Sequence, residues 1–451
     1  MPAKPGETDL STRPLNAMDR SMLEVNRTLR HSGCPEFSTQ AFLWLSGRID
    51  VARLRASITC LCQRYPILCA RLDEAAPQGP AWKLRPDAEC PVQEADLESG
   101  TPEAVLDHAG QLLSTPSDPA TADPIRFDVL HRPDGRDVFL MQYSHALMDN
   151  GDAVPLVREI DRLFGSDVAE PDVPRTESRD LLAEHLRATP RWRRLKAALR
   201  TLDVRFRRLR RTPVMLGQDL AGAGMPVRLQ VARRRIERPE TRAIEQRVIQ
   251  ACGVPSLSMA ITGSVFRALQ MLTPEARGPS RNFVAGIGVD LGPPGIRRPV
   301  FQTLAAVVPV WARSEQLKDR TELMRTMNQQ FRERLALDAD LGMVQLSSFF
   351  QRPGSFLRER FARYSVRRLL RSGYSIWYAY FGSLDTMGEQ FCGTPIEDAC
   401  YVASSWPPMG VTLLVNKFQG VLVFQSTSVP GSVPESRANE FLDAVVSDLL
   451  A

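Results

Sequence analysis

The fold is decided by the stretch Val138-Phe139-Leu140-Met141-Gln142-Tyr143-Ser144-His145-Ala146-Leu147-Met148-Asp149-Asn150-Gly151. Its apolar first half predicts a buried strand, and the residues from Asp152 to about Phe164 predict an amphipathic helix. A buried strand holds its backbone rigidly, so the residue just past its end is a well-fixed position for a catalytic side chain. That residue is His145, and an imidazole accepts a proton near neutral pH without assistance. Asp149 follows four residues later, where it can orient the loop or pair with a buried cation.

A histidine at a strand end has two interpretations: a hydrogen-bonded structural residue, or the general base of a reaction. The order of elements favours the base, because a strand leads through His145-x-x-x-Asp149 and a glycine into a helix. This order resembles the His-His-x-x-x-Asp-Gly motif of the chloramphenicol-acetyltransferase-like superfamily, which includes condensation domains, wax-ester synthase-like enzymes and alcohol acyltransferases. Ser144 stands at the first histidine of that motif and Asn150 at its glycine, with Gly151 one place late.

The resemblance extends along most of the chain. Gly47-Arg48-Ile49-Asp50, a helix, and then Arg64-Tyr65-Pro66-Ile67-Leu68 resemble the opening of condensation-type acyltransferases. Val289-Asp290-Leu291-Gly292-Pro293 resembles their Val-Asp-Leu-Arg segment, with Gly292 at the arginine. In that superfamily an arginine forms an ion pair with the motif aspartate. The partner of Asp149 therefore stays open, with Arg297 or Arg298 as candidates.

The length and composition predict a globular protein of two domains. The chain has 451 residues, of which 43% are hydrophobic and 24% charged, and its net charge of +5 does not by itself indicate a nucleic-acid-binding protein. We expect an N-terminal lobe over 14–177, a basic helical connector over 178–224 and a C-terminal lobe over 225–451. The eight cysteines form no Cys-x-x-Cys pair, which argues against zinc. Without a secretory signal or an apolar run of about 20 residues, a cytoplasmic location fits best.

The resemblance implies both a fold and a chemistry. The fold is α/β, with mixed sheets in two similar lobes and with the active site and a tunnel at their junction, in a monomer. The reaction moves an acyl group from a CoA or phosphopantetheine-linked carrier-protein thioester to a hydroxyl, with no permanently bound cofactor and no metal. His145 is the base and Asp149 holds the loop. The expected substrate contacts are Ser144, Gly151, Ser404, Ser405 and Trp406.

Several alternatives stay open at this point. Ser404, Ser405 and Trp406 can supply an oxyanion donor or form only a polar turn between strands. Ser144 can hydrogen-bond near His145 or merely fill the space of the missing histidine. The chain can also be a free-standing condensation enzyme that forms an amide. A catalytically silent scaffold of the same fold is favoured by the three departures at Ser144, Asn150 and Gly292.

Two segments, 191–211 and 356–371, are strongly basic. In the first, apolar residues at alternating three- and four-residue steps predict one stripe on a cationic helix: Leu195, Leu199, Leu202, Phe206 and Leu209. Such helices are solvated surface helices, or they lie in the interface of an anionic membrane. The cationic face also suits an acidic carrier protein or the phosphates of CoA. We expect no nucleic-acid partner, because aromatic residues are sparse among the basic residues of these segments.

Overall fold

The computed structural model describes residues 12–76, 79–85, 88–115, 117–166, 180–207, 212–218, 228–273, 281–292, 299–350 and 356–451. The helices are α1 (Ala17–His31), α2 (Val51–Arg64), α3 (Pro102–Ser114), α4 (Asn150–Gly165), α5 (Leu181–Ala188), α6 (Arg191–Arg207), α7 (Arg238–Cys252), α8 (Leu257–Leu272), α9 (Arg320–Ala336), α10 (Ala339–Phe350), α11 (Phe356–Ser372) and α12 (Glu435–Leu450). The strands are β1 (Thr12–Pro14), β2 (Ser38–Leu45), β3 (Arg71–Asp73), β4 (Ala81–Lys83), β5 (Val92–Asp96), β6 (Ile125–His131), β7 (Asp137–Ser144), β8 (Gln230–Ile236), β9 (Asn282–Asp290), β10 (Ala305–Arg313), β11 (Trp377–Ser383), β12 (Gln390–Phe391), β13 (Thr394–Ala403), β14 (Val411–Phe418) and β15 (Val421–Ser428).

Two larger sheets organise the molecule. The six-stranded sheet has the order β12-β13-β2-β7-β6-β5, and the four-stranded sheet has the order β11-β14-β15-β8. Both are mixed, since β5 runs parallel to β6 and β11 runs parallel to β14 while the other pairs are antiparallel. A two-stranded β9–β10 ribbon and a small β1-β4-β3 sheet complete the architecture. The predicted α/β fold with mixed sheets in two lobes is confirmed.

The central strands of the six-stranded sheet are buried along their whole length. Every residue of β2 is buried, and β7 has one partly exposed residue, Gln142. A strand buried on both faces carries few charges, which is the apolar run that the sequence shows before His145. Strand β13 pairs with β2 in this sheet although it lies in the C-terminal half of the chain. The sheet therefore joins both ends of the sequence, and the lobe boundaries at 177 and 225 remain predictions.

Each larger sheet faces its own apolar core. One core packs α1, α2 and α4 against the six-stranded sheet, and a second packs α7, α8 and α12 against the four-stranded sheet. A third cluster fills the space between the two sheets, where Phe42 and Leu140 meet Leu229 and Val423. Arg233 bonds Asp398 across this junction, with its guanidinium 5.2 Å from the centre of a Trp44 ring. The two halves therefore form one continuous packed body.

The structure corrects several predicted boundaries. Helix α4 begins at Asn150, two residues before the predicted start, because Asp149 caps it. Strand β13 begins at Thr394 rather than Tyr401, since its first half alternates buried and exposed residues instead of forming an apolar run. Helix α10 was not predicted. The basic helix α6 ends at Arg207, and the predicted remainder, 208–211, lies outside the described residues.

Among the described residues, no single helix is long and apolar enough to cross a membrane; helices α7 and α8, bent by 97° at their junction, reach that length and composition only as a pair.

Candidate active site

His145 is positioned by the end of β7. Ser144, the last residue of this strand, pairs with Ser38 at the start of β2. The His145 amide donates to the carbonyl of Phe37 at 3.4 Å, and the Phe37 ring stacks on the imidazole with 5.0 Å between ring centres. On the other side, the Thr303 hydroxyl donates to the His145 carbonyl at 2.9 Å. Backbone and ring are thus both fixed, as a catalytic side chain requires.

Burial controls the charge of His145. Loss of solvation lowers the pKa of His145 to about 4, because a desolvated imidazolium is unfavourable, while contact with its own backbone opposes this change. The ring is therefore neutral at pH 7. Its Nδ1 is buried without a hydrogen-bond partner, yet the residue keeps partial solvent exposure. We infer that Nε2 is the nitrogen available to a substrate, and a negative charge that develops beside it would raise this pKa as the proton moves.

Asp149 is the N-cap of α4 and holds two segments together. One carboxylate oxygen accepts from the amide of Gly151 at 2.8 Å, and the other accepts from the amide of Leu304 at 2.9 Å. Loss of solvation raises the pKa of Asp149 to about 6, although both amide donors act to lower it. Within the described ranges Asp149 forms no ion pair, and the candidates Arg297 and Arg298 lie outside them. Backbone amides therefore bind the carboxylate where the superfamily motif implies an arginine.

The same segment, 300–304, is bound by two further buried carboxylates. Asp152 accepts from the amide of Val300 at 2.9 Å, and Asp19 accepts from the amide of Thr303 at 2.8 Å. Desolvation raises the pKa of Asp152 to about 8 and that of Asp19 to about 7. We call this arrangement the carboxylate clamp: Asp19, Asp149 and Asp152 bound to backbone amides of 300–304.

The clamp fixes a strained turn beside His145. Phe301 has φ +53°, a left-handed conformation that costs a non-glycine residue about 1–3 kcal/mol. Its ring packs on Tyr65 with 5.3 Å between ring centres. Thr303, two residues later, is the residue that binds the His145 carbonyl. The clamp thus connects Asp19, near the start of the sequence, and the segment 300–304 to the position of His145.

The two departures from the motif have structural roles here. The Ser144 hydroxyl accepts from the amide of Ala146 at 3.3 Å and so stabilises the turn that presents His145. Asn150 links two strands, since the Tyr143 hydroxyl donates to its side-chain oxygen and the Tyr401 hydroxyl donates to its carbonyl at 3.4 Å. Gly151 lies exposed at the start of α4, where a Cβ would come within 2.9 Å of Asp149 Oδ1. All of these contacts are made within the protein. The substrate contacts expected at Ser144 and Gly151 therefore stay predictions.

Residues 404–406 divide into one structural residue and two unpartnered donors. The Ser404 hydroxyl accepts from the amide of Ser38 at 2.8 Å and donates to the carbonyl of Glu36 at 2.7 Å, so it ties β13 to β2. The Ser405 hydroxyl and the Trp406 indole N–H are both buried without a partner. A buried donor without a partner is unfavourable unless another group binds it, so these two groups are candidates to bind a substrate oxygen.

A cluster of aromatic rings extends from one face of the imidazole, and sequence reasoning missed most of it. Phe37, which stacks on His145, also meets Trp406 and Trp377 edge-on, with ring centres 5.4 and 5.7 Å apart. Trp406 and Trp377 are 5.8 Å from each other. Phe37, Trp377, Thr303, Asp19 and Asp152 were not predicted. Of these, Asp152 alone carried a local signal, since it follows Asp149 by one helical turn.

Two of the other four histidines, His131 and His31, make contacts away from this site. His131 lies between Asp137 and Glu94, at 2.8 and 2.9 Å, and His31 contacts the carbonyl of Arg27. Among the residues that the structure covers, no group of three or more His, Cys, Asp or Glu side chains is arranged to hold a metal ion. His145 is thus the histidine that the fold places among unpartnered donors.

Comparisons with known proteins establish the fold. Neither a protein-family model nor a curated protein matches the sequence. Among solved structures, the first condensation domain of the calcium-dependent antibiotic synthetase superposes with a TM-score of 0.72 at 14% identity, over 97% of this chain and 95% of that one. The TRI3 trichothecene 15-O-acetyltransferase from Fusarium sporotrichioides gives 0.72 at 10% identity, over 99% and 97%. The condensation domain of the Monacolin K polyketide synthase MokA gives 0.65 at 14%, over 97% and 96%. The chain has the chloramphenicol-acetyltransferase-like fold that its His-x-x-x-Asp motif predicts.

Proposed function

We propose that the protein is an acyltransferase that moves an acyl group from a thioester to a hydroxyl acceptor, with His145 as the general base. The observation that carries this proposal is an imidazole that is neutral at pH 7 and fixed at both its backbone and its ring. The Phe37 ring that stacks on it also contacts Trp406, whose indole N–H is unpartnered, as is the hydroxyl of the adjacent Ser405. General base catalysis needs a neutral acceptor of protons within reach of the substrate, and transfer needs donors for the oxyanion.

Each step is assigned to a residue. His145 Nε2 accepts the proton of the acceptor hydroxyl while the oxygen attacks the thioester carbonyl carbon. The resulting oxyanion accepts hydrogen bonds from the Ser405 hydroxyl and the Trp406 indole N–H, which lies one aromatic ring away from His145 through Phe37. Collapse of the tetrahedral intermediate breaks the carbon–sulfur bond. The thiolate leaves, and the imidazolium returns its proton to the sulfur.

Asp149 acts through position in this proposal. Its carboxylate binds the backbone of 304 and caps α4, so it fixes the loop between His145 and the helix. Thr303 belongs to the same group, because its hydroxyl holds the His145 carbonyl.

The acyl donor of this reaction is a thioester. Either acyl-CoA or a phosphopantetheine-linked carrier protein would supply the thioester, and several of the similar structures are condensation domains of synthetases. The protein then needs no permanently bound cofactor. Peripheral membrane contact would involve residues of helix α6 and not those of this site.

Two alternatives share the same fold. An amide-forming condensation enzyme would use His145 on an amine acceptor, and a silent scaffold would have no reaction. The unpartnered Ser405 and Trp406 donors support the enzyme, because a substrate oxygen could accept from both.

A substrate panel tests the proposal. The protein would be incubated with acyl-CoAs and acylated carrier proteins of several chain lengths, each with alcohol and amine acceptors, and the products identified by intact mass spectrometry. Ester products that require the folded protein support the proposal. Amide products alone would establish the condensation alternative, and no product across the panel would favour the scaffold.

A further inference from the structure

Helix α6 buries its small residues and leaves its large apolar residues in solvent. Ala197 and Ala198 are buried, and Gly342 of α10 lies so close that a Cβ there would come within 2.2 Å of the Thr201 hydroxyl. Close helix packing on a small-residue face fixes the rotation of α6. The predicted apolar stripe then falls on a different face, because successive residues of a helix are about 100° apart. Leu195 and Leu199 are consequently 61% and 58% exposed.

Exposed apolar side chains concentrate on α6 and its neighbours. Trp192 is 67% exposed on the same side of α6, and α10, which packs on α6, adds Phe349 at 47%. Between the two helices lies a groove of about 460 Å³ with apolar walls: Leu195, Leu199, Leu202, Leu346 and Phe349. An exposed patch of this kind on a protein surface usually marks an interaction site.

The rim of this groove is cationic and incompletely satisfied. Arg191 and Arg194 line it together with the apolar residues. The Nε of Arg194 and the side-chain oxygen of Gln345, another lining residue, are buried without hydrogen-bond partners. The groove therefore presents an apolar floor next to a cation and to one unsatisfied donor and one unsatisfied acceptor.

Charge concentrates on this side of the protein. The sequences of α6 and α11, two helices that both pack against α10, contain thirteen basic and two acidic residues. The whole chain has a net charge of only +5, so the remainder of the protein is net negative. A cationic surface on an otherwise acidic body orients the protein toward an anionic surface.

We propose that the groove face, which we define as Trp192, Leu195, Leu199 and Phe349 with Arg191 and Arg194, docks on an anionic lipid bilayer. Basic residues around an apolar stripe that includes tryptophan are typical of helices in the membrane interface. The two arginines bind lipid phosphates, while the exposed apolar side chains enter the boundary between headgroups and acyl chains. An acidic protein would also attract the bases, but a tryptophan and two leucines exposed among arginines match the layered polarity of a bilayer surface better.

The buried sides of the two groove helices pack on the segment next to the candidate active site. A single apolar cluster contains Ala197 of α6 and Val344 of α10 together with Val300 and Leu304. The last two belong to the segment that the carboxylate clamp holds beside His145. Docking would thus bring a membrane with apolar substrates near the site, a consequence that rests on the proposed function although docking itself does not.

Vesicle flotation tests the proposal with the full chain. Vesicles of phosphatidylglycerol and phosphatidylcholine would be compared with phosphatidylcholine alone, at low and high salt. We expect binding to the anionic vesicles, at least tenfold weaker binding to the neutral ones, and a loss at high salt. Two double variants, Leu195→Gln/Leu199→Gln and Arg191→Gln/Arg194→Gln, should each weaken binding about tenfold or more.

Matched variants elsewhere control for general effects of exposure and charge. Ile249→Gln/Met271→Gln removes two apolar residues that are 46% and 53% exposed on α7 and α8, and Arg242→Gln/Arg332→Gln removes two exposed bases. Both should bind vesicles within twofold of the parent. His145→Ala should bind like the parent, so failure of the catalytic proposal would leave this result unchanged.

Fluorescence locates the contact. Brominated lipids should quench part of the tryptophan emission of the parent, and Trp192→Phe should remove that quenching. The proposal is overturned if the parent ignores anionic vesicles, if the groove-face variants bind like the parent, or if quenching persists in Trp192→Phe. It is equally overturned if those variants keep vesicle binding but lose binding to an acyl carrier protein in a parallel titration, since the surface would then be a protein dock.

Discussion

The segment held by the carboxylate clamp and the two helices that carry the groove face share one apolar cluster, yet the clamp and the groove face differ in how they place their charged groups. The clamp buries Asp19, Asp149 and Asp152 against backbone amides, and loss of solvation raises the pKa of each, although the amides act to lower it. The groove face keeps Arg191 exposed and Arg194 partly exposed, where solvent and counterions screen their charge. Buried carboxyl groups in this protein fix the position of a backbone segment, whereas exposed guanidinium groups are available to a partner. Substitutions at the clamp should therefore change stability or catalysis, and substitutions at the groove face should change neither.

The largest expected effect is at the base. His145→Ala should lower acyl transfer by about 10²–10⁴-fold, the usual contribution of general base catalysis. The melting temperature should change little, since the imidazole makes no side-chain hydrogen bond with the protein. Steady-state kinetics would check this with His185→Ala, an exposed histidine on α5, as the control. Activity of His145→Ala within a few-fold of the parent would remove His145 from the mechanism.

Asp149 should affect both stability and activity. Asp149→Asn replaces one of two accepting oxygens with an amide group that cannot accept from a backbone N–H, and we expect a loss of about 2 kcal/mol in the free energy of unfolding. Activity should fall with it. The control is Asp50→Asn, at another helix N-cap, which accepts only from the amide of Arg53 in solvent. Denaturant unfolding would compare them, and a stable but inactive Asp149→Asn would indicate a direct chemical role.

Thr303 should separate positioning from packing. Thr303→Val removes the donor to the His145 carbonyl and should cost about 1 kcal/mol of stability and roughly tenfold in kcat. The control is Thr241→Val in α7, which removes a comparable buried hydroxyl that donates to the Ile236 carbonyl at 3.0 Å. It should cost similar stability and leave kcat unchanged. Equal kcat values for the two variants would mean that Thr303 only packs.

The smallest expected effect is a change in pH dependence. The folded pKa of Asp152, about 8, lies above its ordinary value near 3.8, so the folded protein binds the proton more tightly. Asp152 therefore lowers stability progressively as pH rises from about 4 through 8. Asp152→Asn keeps an acceptor for Val300 and should flatten this decline, with a higher melting temperature than the parent above pH 8. Parallel melting curves at every pH would contradict the assignment.

Sequence reasoning reached the fold and the placement of His145 at the end of a buried strand, because both depend on local order. An apolar strand followed by His145-x-x-x-Asp149 and a helix is visible within thirty residues, and β7 and α4 formed as predicted apart from their ends. The clamp was not accessible in this way, because Asp19 and 300–304 are separated by almost 300 residues and no local pattern connects them. The glycine at position 292, where the superfamily motif has an arginine, indicated that Asp149 needs another partner. It did not indicate that backbone amides bind this carboxylate.

The groove face shows a different limit. The apolar stripe on α6 was predicted from the spacing of its residues. Which face of a helix is buried depends on its neighbour, however, and the neighbouring helix α10 with Gly342 was not predicted. Small residues such as Ala197 and Ala198 carry no strong hydrophobic signal, although they form the face that packs. Periodicity therefore predicted an amphipathic helix without indicating that its large apolar residues face solvent.

Titration of His145 by NMR tests the central claim most directly. The five histidines would be labelled, and the His145 signals assigned by their absence in His145→Gln. With a pKa of about 4, the His145 ring shifts should stay constant from pH 8 to 5.5 and report a neutral imidazole. An inflection between pH 6 and 7 would show an imidazole solvated like that of a surface histidine. That result would contradict the buried, neutral base on which the proposed function depends.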